Sequence, residues 1–357
     1  MNSTAPTIGS LTYVYVQLRR YWMPILLALG TTSSVSNVVI FTRKTLRTSP
    51  CSMYFLAATI NNSFVQYTLF LNMIITDAIN DDPTTYSSAY CKIRSYLIYV
   101  LYTLSPYFTV LACADRYCSS SSNSRLRNLS KLSIAGRLIL LTTTFTFLIY
   151  LHVLFNFEIH NGACGPKDSI YAEELTIMLM FSFCLLPPAI MSIFSVLAFR
   201  NIKQQRQRIM PVNAVGGARM RQRESQLLKM LFFHVLVNIL LVTPFSIAYL
   251  MSTIYYELYI NSIFSFIFNT LMLVMYLNYA TSFFIYIATT RLYRHEFIKV
   301  LKILKNHFCR MPLIQQHFPQ QRQDNGTTRH TTRTNSLQKL VILRTTICGV
   351  HENRSVT

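Results

Sequence analysis

The sequence predicts an all-α membrane protein, a bundle of seven transmembrane helices followed by a short amphipathic eighth helix. Of its 357 residues, 52% are hydrophobic and only 13% are charged, which is too apolar for a soluble chain of this length. A helix of roughly 20 apolar residues crosses about 30 Å of hydrocarbon. Seven stretches reach that length: residues 22–42, 52–76, 93–114, 133–156, 173–199, 227–254 and 260–288.

The basic residues determine the predicted orientation. With the N-terminus outside, all but five of the 33 Lys and Arg residues fall on the inner side, as the positive-inside rule requires. Eight of the 13 acids fall outside. The net charge of +20 therefore follows from topology, and we expect a multi-pass plasma-membrane protein without a nucleic-acid partner. The five external cations are Arg19, Arg20, Lys92, Arg94 and Lys167.

Four parts are expected along the chain. They are an extracellular tail at 1–20, the bundle at 21–289, an amphipathic helix at 290–308 and a disordered cytoplasmic tail at 309–357. Between 290 and 308 apolar residues recur at helical spacing with cations between them, the pattern of a helix lying on an anionic inner leaflet. Membrane lipids are thus predicted partners. The polar, basic segment 200–223 is expected to be a flexible cytoplasmic loop.

Both tails carry candidate modification sites. The sequon Asn2-Ser3-Thr4 predicts a glycan on Asn2, because that end is expected outside. The C-terminal tail has too little apolar content to fold, and its hydroxyl residues are predicted targets of a receptor kinase that prepare it for arrestin. The alternatives are an unused sequon and a tail that is only a spacer. The kinase candidates are Thr331, Thr332, Thr334 and Ser336.

The cysteines provide a test of the topology. Of eight cysteines, only Cys91 and Cys164 are expected outside, where the environment is oxidising. We therefore predict one disulfide, which ties the outer end of the third helix to the loop after the fourth.

The triplet Asp115-Arg116-Tyr117 ends the third span, with Cys91 placed 25 positions before Arg116. Together with the seven spans, the outer cysteine pair and a few polar and proline positions, it resembles the rhodopsin-like G-protein-coupled receptors over about residues 20–308. The resemblance implies that Asp115 holds Arg116 at rest and that Arg116 contacts a heterotrimeric G protein on activation. It places Tyr117 and Tyr286 on the same coupling surface. The further matching positions are Asn37 and the helix-kinking Pro187, Pro188 and Pro244.

Three departures from the family pattern are clear. Where the family has Asn-Pro-x-x-Tyr, this chain has Ser282-Phe283-Phe284-Ile285-Tyr286, which predicts loss of the proline and of its kink. Val242 replaces the Trp that precedes the sixth-span proline in the family. The second span has no acid, since Asn61, Asn62 or Ser63 takes its place, and regulation by sodium is not expected.

The upper halves of the helices predict the ligand class. Ile98 stands where amine receptors place an Asp, and the seventh span has no Lys, so neither an amine nor a retinal Schiff base is expected. Tyrosines offer apolar area with a hydroxyl, under a rim of acids that includes Glu173 and Glu174. This favours a basic or amidated peptide, as for the invertebrate receptors of amidated Arg-Phe peptides that the chain resembles. The aromatic candidates are Tyr99, Tyr102, Phe245, Tyr249 and Tyr276.

The sequence also bears on other functions. The same tyrosines could simply populate interfacial belts and helix packing. A transporter would carry ionisable residues at mid-membrane, and an enzyme would carry catalytic carboxylates or a phosphate loop; the sequence has neither pattern. No cofactor or metal is predicted. The main alternative is a decoy or arrestin-only receptor of the same fold, because the motifs of the sixth and seventh helices are altered.

Overall fold

The computed structural model describes residues 5–79, 81–208, 215–255 and 261–310, and within them the chain is almost entirely helical. We number its long helices α1 to α8. They are α1 Ala5–Phe41; α2 Pro50–Val65, Gln66–Phe70 and Leu71–Ile79; α3 Ser88–Ser119; α4 Leu132–Ile149, Tyr150–His152 and Val153–Asn156; α5 Ser169–Leu179, Met180–Leu185 and Leu186–Arg208; α6 Val215–Ile254; α7 Ser262–Ala280 and Ser282–Thr289; and α8 Arg291–Arg310. Short helices Lys44–Arg47, Pro83–Thr85 and Ser124–Arg127 lie in connections.

Six of the described helices are long and apolar enough to cross a membrane, whereas the sequence predicts seven spans. The difference is α2, the predicted span at 52–76, which carries Asn61, Asn62 and Gln66 at buried positions. These amides lower the mean hydropathy of α2. They are not exposed to lipid, because all three face the bundle interior and form hydrogen bonds there. This helix completes the bundle of seven.

Helical structure extends into two segments that were expected to be a tail and a loop. The segment 1–20 is helical from Ala5, where α1 begins. This first part of α1 contains the apolar run 11–16 and Arg19, which pairs with Asp77 of α2. The loop expected at 200–223 is shorter, because α5 extends to Arg208 and α6 begins at Val215. Arg and Gln are the most frequent residues in the extensions of α5 and α6, and both are good helix formers.

The helix predicted at 290–308 spans Arg291–Arg310. The chain divides into two compact units, Met1–Arg294 and His295–Thr357, so α8 crosses their boundary. Within the second unit, Lys299 Nζ pairs with Glu296 Oε1 at 2.9 Å.

Helix α3 lies at the centre of the first unit. It contacts α2, α4 and α5, whereas α1 packs on α2 and α7, and α6 packs on α5 and α7. Accordingly, 61% of the most apolar stretch of α3 is buried, against 17% of the corresponding stretch of α4. Helix α4 therefore presents most of its apolar side chains to the exterior, where lipid is the expected solvent.

Helices α2 and α5 each contain one π-helical turn, Gln66–Phe70 and Met180–Leu185. A π turn inserts one residue and bends the helix. The turn in α5 directly precedes Pro187 and Pro188, which have no N–H to offer to the carbonyls four residues earlier. In contrast, Pro244 lies inside α6 without ending it.

A β-hairpin connects α4 to α5. Strands β1 Phe157–His160 and β2 Ala163–Pro166 are antiparallel, and His160 pairs with Ala163 across a two-residue turn. Asn161 and Gly162 both have positive φ, 51° and 74°, the conformation of a type I′ turn. The Asn-Gly sequence thus fixes the register that places Cys164 opposite Ile159.

Candidate functional site

Cys91, in the first turn of α3, is bonded to Cys164 of β2, with 5.7 Å between their Cα atoms. The predicted disulfide is confirmed. It marks one end of the bundle, which we call the disulfide end. The opposite end of α3 carries Arg116 and is called the Arg116 end.

Asp115 and Arg116 form a buried ion pair. Arg116 donates to Asp115 Oδ2 from Nη2 at 2.6 Å and from Nε at 3.1 Å. Ser130, between α3 and α4, donates to the other carboxylate oxygen at 2.6 Å. Both oxygens of Asp115 therefore have partners, and both charged side chains are about 5% exposed. Removing any one partner would leave a buried charge incompletely paired.

Tyr117 and Tyr286 lie in different surroundings. The ring of Tyr117 packs against Phe194 of α5 at 5.7 Å between centroids. Tyr286 lies in a cluster of rings with Phe41, Phe55 and Tyr293, and its hydroxyl is 3.4 Å from His234 Nδ1 of α6. In this conformation Tyr286 joins α1, α2, α6 and α7.

Helix α7 breaks after Ala280 although the family's proline is absent, so the expected loss of the kink is wrong. In an unbroken helix the Phe283 N–H would donate to the Tyr279 carbonyl. Here it donates to Ser33 Oγ of α1 at 3.1 Å, and Gln66 Nε2 of α2 donates to that carbonyl at 2.9 Å. Side chains of two neighbouring helices thus pair with the N–H and the carbonyl that the break leaves outside the helical hydrogen-bond ladder.

Asn37 of α1 completes this junction. Its Nδ2 donates to Ser282 Oγ at 2.9 Å, and its Oδ1 accepts from the hydroxyl of Tyr293. Ser282 occupies the place of the family's Asn, so the serine hydroxyl stands in for an amide as the polar contact to α1. Sequence reasoning identified Asn37 but gave no signal for its partners, which are more than 240 residues away.

The amides of α2 connect it to α3 in the region where the family has an acid. Asn61 Nδ2 donates to the Leu101 carbonyl at 2.7 Å, and Ser105 Oγ donates to Asn62 Oδ1 at 2.6 Å. Both amides are buried. This region joins α2 to α3 through neutral hydrogen bonds, and among the residues described here no cluster of acid, His or Cys side chains suits a metal ion.

Aromatic rings fill the centre of the bundle toward the disulfide end. Tyr102 of α3 stacks on Tyr279 at 5.5 Å and lies 6.2 Å from Phe183, while Phe245 stacks on Tyr249 at 5.7 Å. The structure brings five predicted pocket residues into one cluster. They are Ile98, Tyr102, Phe245, Tyr249 and Tyr276.

Residues 35–286 match the family described as 7 transmembrane receptor (rhodopsin family). This segment covers well over half of the chain. The chain belongs to the rhodopsin family of seven-transmembrane receptors. A search of curated proteins found no significant match. As a member of this family the chain is a multi-pass membrane receptor and not an enzyme.

Three predicted pocket residues of the receptor lie apart from the cluster. Tyr99 faces α4 and the hairpin, where it stacks on Tyr150 and meets Phe157 edge-on, each at 6.0 Å. Tyr99 and Tyr102 are three residues apart on one helix, so their side chains point about 60° apart around its axis and meet different neighbours. Glu173 and Glu174 are exposed at the start of α5 and pair with no cation in the described part of the chain.

An ion pair at the disulfide end of the receptor was not anticipated from sequence. Arg19 of α1 binds Asp77 of α2 through two hydrogen bonds and also lies over the ring of Tyr15. Asp77 is one of the eight acids expected outside, and its charge is compensated by Arg19. Nearby on α3, Arg94 Nε is buried and has no hydrogen-bond partner among the described residues.

Two sets of predicted sites on the receptor lie outside the described residues. They are the glycan site Asn2 and the kinase sites Thr331, Thr332, Thr334 and Ser336.

Proposed function

We propose that this receptor transduces an extracellular basic or amidated peptide to a heterotrimeric G protein from the plasma membrane, with its N-terminus outside. The observation that carries the proposal is the buried Asp115–Arg116 ion pair. A charge placed near hydrocarbon is costly unless it is paired or faces a cavity, and such residues usually have a functional role. Here the pair holds Arg116 at rest, and its release would give the guanidinium to the G protein.

Charges and rings at the disulfide end support a peptide ligand. Glu173 and Glu174 are exposed and have no cationic partner among the described residues, so they are available for charge-assisted hydrogen bonds to Arg or Lys of a peptide. Below them Tyr102, Tyr249 and Tyr276 supply apolar area with hydroxyl groups, which suits an aromatic, amidated peptide end.

A second candidate is an arrestin-only receptor of the same fold. Val242 occupies the Trp position of α6 and is buried, so the bulky ring that would move with α6 is missing. In that case, agonist would recruit arrestin without nucleotide exchange on a G protein.

The two candidates separate in one cell-based experiment. Cells expressing the receptor with a promiscuous G protein are screened with amidated basic peptides, and G-protein dissociation and arrestin recruitment are both recorded. Arg116→Ala should abolish G-protein dissociation when the signal is normalised to surface expression. The matched control is Arg125→Ala, an exposed cation at the same end of the bundle. Arrestin recruitment without G-protein dissociation in the unmodified receptor would favour the second candidate.

The peptide class is tested with charge-neutral variants. Glu173→Gln and Glu174→Gln should each weaken an agonist peptide that contains Arg, and they should act less on the same peptide with Arg replaced by citrulline. Equal effects on the two peptides would contradict a role of these carboxylates in recognising a cation.

A further inference from the structure

A groove of about 790 Å³ runs between α5 and α6 toward the Arg116 end. Ser195 and Leu228 are buried at its base, on α5 and α6 respectively. Ser195 donates to Cys113 Sγ of α3 at 3.7 Å, so the base of the groove reaches the central helix. The groove is therefore a feature of helix packing and not of a surface loop.

The walls of the groove are apolar and face outward. Val196 and Phe199 of α5 and Phe232 of α6 are 49%, 64% and 51% exposed. Such exposure of large apolar side chains on a membrane helix places them against acyl chains. The wall area is consequently suited to a hydrocarbon chain and poorly suited to a polar polypeptide.

Three cations surround the same groove. Arg200 and Lys203 lie on α5 and Lys229 on α6, and all three side chains are exposed. None forms an ion pair or side-chain hydrogen bond with any residue that the structure describes. The described lining contains no acid to compensate them. One helical turn separates Phe199 from Lys203, so the cations lie beside the apolar walls.

We propose that the groove binds one acidic phospholipid of the inner leaflet. Its phosphate lies among Arg200, Lys203 and Lys229, and an acyl chain lies along Val196, Phe199 and Phe232. Lys and Arg side chains are attracted to anionic lipid headgroups, and the groove gathers three of them around one headgroup. The proposal rests on the proposed orientation, which puts the Arg116 end at the inner leaflet.

A lipid bound in this groove contacts both α5 and α6. Because it touches two helices, its binding free energy depends on their separation, and it favours the separation that gives it the better fit. The composition of the inner leaflet would thus bias the receptor between conformations that differ in the position of α6.

The test uses a tryptophan placed in the groove. The chain has one native Trp, so Trp22→Phe with Phe232→Trp gives a single reporter at the groove wall. The full-length receptor is reconstituted in phosphatidylcholine nanodiscs that contain a minor fraction of either dibrominated phosphatidylserine or dibrominated phosphatidylcholine. Bromine quenches tryptophan on contact, so the two lipids compare headgroups at constant acyl chain. A reporter at Leu140, an exposed position of α4, measures nonspecific lipid contact.

The expected result is selective quenching at position 232. Phosphatidylserine should be preferred there by about tenfold, which corresponds to about 1.4 kcal/mol of binding free energy contributed by the three cations. Arg200→Gln with Lys203→Gln and Lys229→Gln should abolish the preference. The matched control, Arg125→Gln with Lys131→Gln and Arg137→Gln, removes three exposed cations from the same end and should leave it unchanged.

Equal quenching by the two lipids at position 232, or a preference no larger than that at position 140, would overturn the proposal. Unchanged preference in the groove triple variant would overturn it as well. If the groove triple variant loses nucleotide exchange on a G protein, and the reporter receptor with its three cations intact shows no headgroup preference, the cations belong to a transducer surface and the proposal fails. None of these quenching results depends on agonist, so failure here is distinct from failure of the proposed signalling function.

Discussion

Gln66 Nε2 donates to the backbone carbonyl of Tyr279 at 2.9 Å and so joins α2 to the residue that precedes the break in α7. This contact requires space in α1. A Cβ atom on Gly30 would lie 2.6 Å from the Gln66 side-chain amide, so only glycine fits there without displacement. Three helices thus meet at one amide group.

Replacing Gln66 with Leu should destabilise the receptor by about 1–3 kcal/mol, because the Tyr279 carbonyl loses its donor in a buried site. Thermal unfolding of the purified receptor in detergent measures the effect. Tyr67→Phe removes an exposed hydroxyl one residue along and should leave the unfolding temperature nearly unchanged. Equal effects of the two variants would show that the amide contributes nothing through Tyr279.

Gly30→Ala should also destabilise the receptor, but only while Gln66 is present. In a Gln66→Ala background the added methyl group meets empty space, and the cost should largely disappear. A double-mutant cycle in unfolding free energy should therefore give an interaction of about 0.5–3 kcal/mol, the range for residues in contact. Additive effects would mean that the close approach of Gly30 to Gln66 does not determine the packing of α1.

The break in α7 predicts where proline is tolerated. The Phe283 N–H is outside the helical ladder and donates to Ser33, whereas the Ile285 N–H donates to the Thr281 carbonyl at 3.2 Å. Ile285→Pro should lower the free energy of unfolding by about 3 kcal/mol more than Ile285→Ala does, as in a helix interior. The corresponding difference between Phe283→Pro and Phe283→Ala should be clearly smaller.

Comparing Pro with Ala at each position cancels the loss of the original side chain, which matters because Phe283 is buried. The measurement is surface expression together with unfolding temperature. A proline penalty at 283 as large as that at 285 would contradict the assignment of Ser33 and Gln66 as partners of the freed backbone groups.

Sequence predicted the features that depend on composition and local pattern. The helices, the Cys91–Cys164 bond and the Asp115–Arg116 pair follow from apolar runs, topology and a local motif. Sequence failed for α7, because the missing proline was taken to mean a straight helix. The break depends on Ser33 and Gln66, which are more than 210 residues from their partners, and no local pattern reports such contacts.

Only part of the aromatic site was predicted, again because contacts between distant residues leave no local sequence pattern. Residue type indicated tyrosines, but helical phase decided which of them meet. Tyr102 joins the central cluster, whereas Tyr99, three residues earlier, faces Tyr150. The Arg19–Asp77 pair was missed because the predicted tail ended at residue 20, which put Arg19 outside the bundle.

The hydrogen bond from Ser130 to Asp115 predicts that weakening this network releases Arg116 by degrees. Ser130→Ala removes the hydrogen bond to Asp115 Oδ1 and should raise ligand-independent nucleotide exchange modestly, since Arg116 keeps its contact with Oδ2. Asp115→Asn removes the charge and should raise it further. The measurement is basal G-protein activation normalised to surface expression. Ser119→Ala, which removes a hydroxyl that donates to the Arg116 backbone carbonyl within α3 and leaves the Asp115 carboxylate contacts in place, serves as the control. No rise in either Asp115→Asn or Ser130→Ala would contradict the restraint assigned to this network.

The predicted kinase sites of the C-terminal tail lie outside the described residues. Thr331, Thr332, Thr334 and Ser336 cluster around Arg333 in a basic, weakly apolar segment. Each phosphate adds about 1.5 to 2 negative charges, so phosphorylation would repel the segment from the anionic inner leaflet and expose it to the basic surface of arrestin. Truncation after Met311 should therefore slow agonist-induced internalisation, measured by loss of surface epitope over time.

A second variant separates phosphorylation from length. Changing the four hydroxyl residues to Ala in the full-length receptor should reproduce the slow internalisation, whereas Thr345→Ala with Thr346→Ala, a nearby hydroxyl pair outside the cluster, should not. If truncation slows internalisation but the fourfold Ala variant behaves like the unmodified receptor, the tail acts by its length or by its basic charge. Since phosphate groups would then have no part, that outcome would contradict kinase regulation at these four positions.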